Sequence, residues 1–285
     1  MESQTLNFYE GGVSLITGGA SGIGLAFGKE LAKKGCHVIL ADLQKEVAEK
    51  EAKLIEAEGG KASSAFLDVR DSEAFSKLIL EVKETHGRID TLFNNAGVVS
   101  GWEVKDDPIE DWDYIVDVNI KGVMNGTLAC YKVMVEQGFG HIINTASVAG
   151  ILPAPFVVSY GMTKHAVVGL SVSLKAQAAR YGVRVSALCP GFIETPILEG
   201  GKYGRVQPKI VEKLKKRPLP LMALTPQALV KKVLPQIEKN KSLIVEPLQM
   251  KILWWLYRFS PSFVLWLVSR LWRLINKKMN LKSQT

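Results

Sequence analysis

Short apolar runs rich in β-branched residues recur along this chain, VSLIT, CHVILAD, SSAFLDV, IDTLFNN, HIINTAS and VRVSALC, and stretches of helical periodicity separate them. This alternation constrains the fold more than any other feature. A near-continuous apolar run suits a strand covered on both faces, and parallel neighbours need a crossover of a dozen or more residues, usually a helix. The pattern therefore predicts βαβ units and an α/β fold around a parallel sheet. With 285 residues and 47% hydrophobic content, the chain has enough apolar material for one large core. No repeat, low-complexity stretch or Pro- or Ser-rich linker divides it, and the composition first shifts after Pro247. We expect one α/β domain over residues 1–247 and an amphipathic helical tail over 248–285.

The first strand runs into Thr17-Gly18-Gly19-Ala20-Ser21-Gly22-Ile23-Gly24 and then into the helical pattern LAFGKELAKKG. Glycine is needed where the backbone turns sharply and where it must approach a pyrophosphate, whose charge then meets the free N–H groups of a helix N-terminus. A strand before and a helix after favour a dinucleotide site in a Rossmann-type, doubly wound parallel sheet, although glycine clusters also serve ordinary tight turns. The next strand ends at Asp42, where a carboxylate accepts hydrogen bonds from adenosine ribose hydroxyls and repels a 2′-phosphate. Positions 19 to 21 hold no Arg or Lys, and Leu43 and Gln44 follow the acid, so NAD is favoured over NADP. The plainer reading of Asp42 is a cap on the helix that begins near Gln44.

Tyr160 and Lys164 are four apart in a helical stretch, which places them on one face in adjacent turns. An ammonium held there favours the phenolate and should lower the tyrosine pKa from about 10. Such pairs arise by chance in a lysine-rich chain, so position carries the inference. Ser147 ends the strand HIINTAS, at the carboxyl edge where open α/β sheets bind ligands. Asn119 is an amide among apolar neighbours, suited to kinking its helix, anchoring a water or simply completing the core. His37, His86, His141 and His165 are scattered without ligand spacing, and we expect no metal.

The motif T-G-x-x-x-G-I-G from Thr17, Asn94-Asn95-Ala96-Gly97, Asn119, Ser147, Tyr160-x-x-x-Lys164 and Pro190-Gly191 together resemble the short-chain dehydrogenase/reductase family in order and spacing, over about residues 10 to 245. The resemblance implies an oxidoreductase passing hydride between a nicotinamide cofactor and an alcohol or ketone carbon. It makes Tyr160 the acid/base, gives Lys164 the roles of lowering its pKa and holding the nicotinamide ribose, has Ser147 position the substrate oxygen, and has Asn119 support a relay water. On the cofactor side it implies Gly18, Ser21, Gly22, Gly24 and, through its backbone N–H, Ile23. Asp42 follows on the ribose, Asp68 and Val69 beside adenine, Asn95 near the adenosine ribose, and Ala96 and Gly97 in the same cofactor-binding loop. Pro190, Gly191, Ile193 and Thr195 complete the set, Thr195 at the carboxamide. Family members often pair through the helices carrying Asn119 and Tyr160, so a homodimer or homotetramer is expected.

Between Gly191 and Thr225 the family usually places a lid over the substrate. Phe192, Ile197, Leu198 and the stretch PLPLM suggest a hydrophobic substrate or packing on the domain itself, while Lys202, Arg205 and Lys209 suit solvated surface. The tail departs from the family's usual ending. It holds seven basic residues and no acid, against a net charge of +8 for the whole chain, which leaves residues 1–247 nearly neutral and argues against nucleic-acid binding. Its apolar runs are too short to span a bilayer, but a helix from Phe263 gathers Arg270, Arg273 and Lys277 on one face against a wide apolar arc. That layout fits a helix lying in a membrane interface, as in membrane-associated hydroxysteroid- or retinol-dehydrogenase-like members, or one completing a dimer. Three unpaired cysteines and an N-terminus without a signal pattern suggest a cytoplasmic protein, peripheral on the cytosolic face of a membrane. An NADPH-dependent ketone or acyl reductase and a catalytically idle NAD-binding regulator are the alternatives.

Overall fold

A computed structural model describes residues 6–100, 104–155, 157–198, 204–205 and 223–280. Seven parallel strands form one sheet: β1 (Val13–Thr17), β2 (His37–Asp42), β3 (Lys61–Phe66), β4 (Thr91–Asn94), β6 (Gly140–Thr145), β7 (Val183–Pro190) and β9 (Leu243–Glu246), in the order β3-β2-β1-β4-β6-β7-β9. A short pair, β5 (Val99–Ser100) and β8 (Gly204–Arg205), stands apart. Successive strand residues point to opposite faces. Ile16, Leu40, Phe93 and Ile143 accordingly pack on α1 (Gly22–Lys33), α2 (Lys45–Ala57) and α7 (Pro226–Glu238). Their neighbours Leu15, Ile39, Leu92 and Ile142 face the layer of α3 (Ser72–His86) and α5 (Gly122–Gln137), beside which lies α6 (Val158–Ala178). This is the doubly wound α/β arrangement expected from the alternating sequence.

The third strand begins and ends earlier than the run SSAFLDV suggests. After Phe66 only the Leu67 N–H still reaches the Asp42 carbonyl, at 3.0 Å, and Asp68 and Val69 lie beyond the sheet edge. The helix carrying Asn119 is continuous but not uniform: α4 (Ile109–Val116) passes through a π-helical turn, Asp117–Lys121, into α5. At the opposite edge of the sheet, the buried Asp90 carboxylate accepts the N–H groups of Asn7 and Val13 and a bidentate Arg88 guanidinium, fastening the N-terminal segment under β1.

The C-terminal segment forms two helices, α8 (Leu248–Phe259) and α9 (Pro261–Asn280). Met250, Leu253, Trp254 and Tyr257 recur at helical spacing and pack α8 against the cluster containing Ile151, Leu152, Cys189 and Val245. Leu248, Ile252, Trp255, Leu256 and Phe259 face outward. The first half of the tail thus contributes one face to the core. Among the described residues no helix is long and apolar enough to cross a membrane.

Candidate active site

At the carboxyl edge of the sheet the connections from β1 and β4 leave in opposite directions, opening a crevice in which doubly wound folds bind ligands. Here the crevice has a volume of about 460 Å³. Its floor begins with the glycine turn, where Gly18 and Gly22 adopt positive φ values of 65° and 54° that disfavour any side chain. A Cβ on Gly18 would fall 2.9 Å from the Ala96 Cα, so only glycine lets the two loops touch. Ser21 caps α1 without a side-chain hydrogen bond and no acid occupies its first turn, leaving the helix N–H groups turned to the crevice.

Every cofactor residue expected from the sequence lines this crevice except Gly24, which lies behind the turn against the Gly18 carbonyl. Asn95 ties the β4 loop to the turn, its side-chain amide donating to the Thr17 carbonyl at 3.2 Å. The Thr17 hydroxyl accepts the backbone N–H groups of Asn95 and Ala96, both at 3.0 Å. Asp42 accepts the N–H groups of Ala20 at 3.0 Å and Gln44 at 2.9 Å. Asp42 does not cap α2, whose N-cap is Gln44 with no side-chain cap hydrogen bond, and its carboxylate lines the crevice with lone pairs to spare. Asp68 is gripped by the Arg70 guanidinium, with its shortest contact at 2.6 Å, and this pair holds its carboxyl below the usual range. Arg70 in turn lies over the Tyr114 ring.

At the other end the structure brings Ser147, Tyr160 and Lys164 together on the crevice wall. The buried Lys164 ammonium donates to the Thr145 carbonyl at 2.8 Å and stands 5.5 Å from the centre of the half-buried Tyr160 ring. The Ser147 hydroxyl accepts the Ala149 N–H at 3.1 Å, which fixes its direction. Asn119 does not join them. It is fully buried, exchanging two 2.9 Å hydrogen bonds with the Val98 backbone and donating to Thr163 at 3.1 Å. Its amide is satisfied by the protein, and it reaches the crevice by holding the backbone of Val98, which lines it.

The expected lowering of the Tyr160 pKa is not found. Burial pushes it up to about 12, and the Ser147 hydroxyl offsets only part of that. Burial also pulls Lys164 down to about 8, which weakens the very charge that was to stabilise a phenolate. Thr163, Arg70 and Tyr114 were missed by sequence reading, and Thr17 was read only as the first position of the glycine motif. Thr163 had a visible signal, lying three residues after Tyr160 on its helix, whereas nothing local marks Arg70. Pro218 to Met222, Lys202 and Lys209, read as parts of a lid, lie outside the described residues. Among the described residues no three His, Cys, Asp or Glu side chains converge as a metal site would require.

The short chain dehydrogenase family profile matches residues 12–202. Oxidoreductase UcpA of Salmonella typhimurium is 40% identical over 190 residues, which are 66% of this chain and 72% of that protein. The 3-oxoacyl-(acyl-carrier-protein) reductase FabG of Thermotoga maritima is 39% identical over 190 residues, 67% of this chain and 77% of that one. A crystal structure of a short chain dehydrogenase/reductase from Burkholderia phymatum in complex with NAD superposes with a TM-score of 0.81 at 27% identity, covering 90% of this chain and 96% of that one. Sequence and architecture agree that this chain belongs to the short-chain dehydrogenase/reductase family of oxidoreductases.

Proposed function

We propose that the chain moves hydride between NAD(H) and the CH–OH or C=O carbon of a hydrophobic, lipid-, steroid- or retinoid-like alcohol or ketone. The observation that carries this reading is one crevice with Ser147, Tyr160 and Lys164 at one end and Asp42 at the other. The residues fit a nicotinamide dinucleotide: an uncapped helix N-terminus suits its pyrophosphate, and glycine backbone leaves room beside it. Bound there, the dinucleotide supplies the hydride acceptor or donor. Asp42 accepts the ribose hydroxyls and disfavours a 2′-phosphate, and the NAD named for the Burkholderia phymatum structure accords with that choice. Ser147 Oγ holds the substrate oxygen while Tyr160 Oη exchanges its proton with it. Lys164 Nζ, tied to Thr145, holds the nicotinamide ribose. Asn119 keeps the helix turn open for a relay water. Ile197 and Phe192 on the substrate side, together with Val98, favour an apolar substrate body.

Exposed Met124 and Leu128 on α5 and Met162 and Val172 on α6 support a homodimer or homotetramer formed on those helices. The basic, aromatic tail after residue 247 supports peripheral attachment to a membrane from the cytosolic side, with its first helix, α8, packed on the catalytic domain. An NADPH-dependent acyl reductase is the second reading, favoured by the likeness to a 3-oxoacyl reductase. Titrating NADH and NADPH side by side decides between them. Tighter NADH binding supports the proposal, and a preference for NADPH overturns its cofactor half.

A further inference from the structure

From the two faces of α8 we infer that the C-terminal helices seat the substrate end of the crevice on an anionic lipid surface, so that substrate dissolved in the membrane reaches Ser147 and Tyr160 from that side. The inference deepens the proposed function and rests on it for the crevice. The inner face of α8 is part of the crevice wall's support. A Cβ on Gly191, which lines the crevice, would fall 3.2 Å from Met250 Cγ and 2.9 Å from Pro247 Cδ. The Gly191 N–H donates to the Glu246 carbonyl at 2.7 Å, and Leu253 and Trp254 pack on the cluster around Ile151 and Leu152, just past Ser147. Because β9 is parallel to the other strands, α8 necessarily starts at their carboxyl edge, the edge that holds the crevice.

Among the described residues nothing covers the outer face. Ile252 is 62% exposed, Trp255 64% and Phe259 90%, and Phe263 and Trp266 continue the apolar surface onto α9. A second apolar face, left exposed on a helix whose first is already in the core, marks contact with a partner. Charge selects the partner. Residues 248–285 carry seven Lys or Arg and no acid, so a second copy packed on the same face would set like charges together, whereas anionic headgroups neutralise them. On α9, Arg270 lies over the exposed Trp266 ring at 5.4 Å, the pairing of cation and amphipathic ring suited to headgroup depth.

The test uses the full chain with vesicles of phosphatidylcholine containing phosphatidylserine, and pure phosphatidylcholine for comparison. The wild type should co-sediment with the anionic vesicles, and an Ile252→Ser, Trp255→Ser, Phe259→Ser variant should lose roughly tenfold or more of that partitioning while binding NADH as before. All three native cysteines are buried, so a fluorophore placed through Phe192→Cys beside the crevice, or through Glu58→Cys at the opposite edge, reports orientation. Headgroup-labelled quencher lipid should dim the first and spare the second. Equal quenching at both positions, unchanged sedimentation of the triple variant, or a wild type that ignores vesicles and forms dimers which the triple variant splits into monomers overturns the inference. Normal vesicle docking and quenching without NADH binding would instead sink the proposed function alone.

Discussion

Tyr160 and Lys164 occupy one helical face as their spacing requires, but burial governs their proton affinities. With its phenol pushed up to about 12, Tyr160 holds its proton at neutral pH, the form in which the proposed acid/base would donate to a carbonyl oxygen. Alcohol oxidation needs the phenolate instead. We expect kcat/KM for oxidation to climb through the range pH 7 to 9 while that for reduction stays level, read from initial rates in both directions; a flat oxidation profile would show that another group takes the proton. Asp42 gives a second residue-scale prediction. Asp42→Ala removes the proposed ribose acceptors and the proposed repulsion of a 2′-phosphate, so NADH should bind roughly tenfold more weakly and discrimination against NADPH should shrink by a similar factor, measured by titration. These residues were legible because each sits at a strand end or on a helix period. Arg70 was not, since its grip on Asp68 depends on β3 ending at Phe66, three residues before the apolar run does.

The βαβ elements followed from hydrophobic runs, and their carboxyl edge from parallel pairing. Sequence reading offered a kink at Asn119 but not its π-helical form, because no local propensity distinguishes a widened turn from a regular one. It is instead marked by the paired hydrogen bonds to Val98, from residues far apart in the chain. The base of β6 offers a prediction of its own. His141 is fully buried, and the Ser186 hydroxyl bonded to its ring at 2.9 Å donates onward to the Lys241 carbonyl, so the ring nitrogen supplies the proton between them. Burial, with Arg184 and Lys175 adding to it, lowers the His141 pKa from 6.5 to about 3. Between those values only the unfolded chain takes up the proton, so folding stability falls as pH drops through this window. By pH 4.5 the loss from this one group should be about 3 kcal/mol. Urea unfolding at pH 7 and 4.5 checks it: His141→Gln should shrink the difference between the two pH values by that amount, and an undiminished difference would place the acid sensitivity elsewhere.

Across the whole molecule, one sheet edge carries the glycine turn, the Ser147 loop, Tyr160 and the start of α8, so the proposed cofactor and substrate ends of the crevice and the start of the tail all lie where the strands end. The tail's helices were legible as amphipathic sequence. That α8 also completes the core was not, because its inner and outer faces are equally apolar and only the position of β9 separates them. The central claim is that this edge performs NAD-linked alcohol and ketone chemistry through Tyr160. It is tested most directly by incubating wild type and Tyr160→Phe with NAD⁺ and a panel of steroid, retinoid and long-chain alcohols, and following NADH formation. The account predicts turnover of at least one apolar alcohol by the wild type and a loss of roughly a hundredfold or more in the variant, with NADH affinity within a few-fold. Turnover that survives Tyr160→Phe would contradict it.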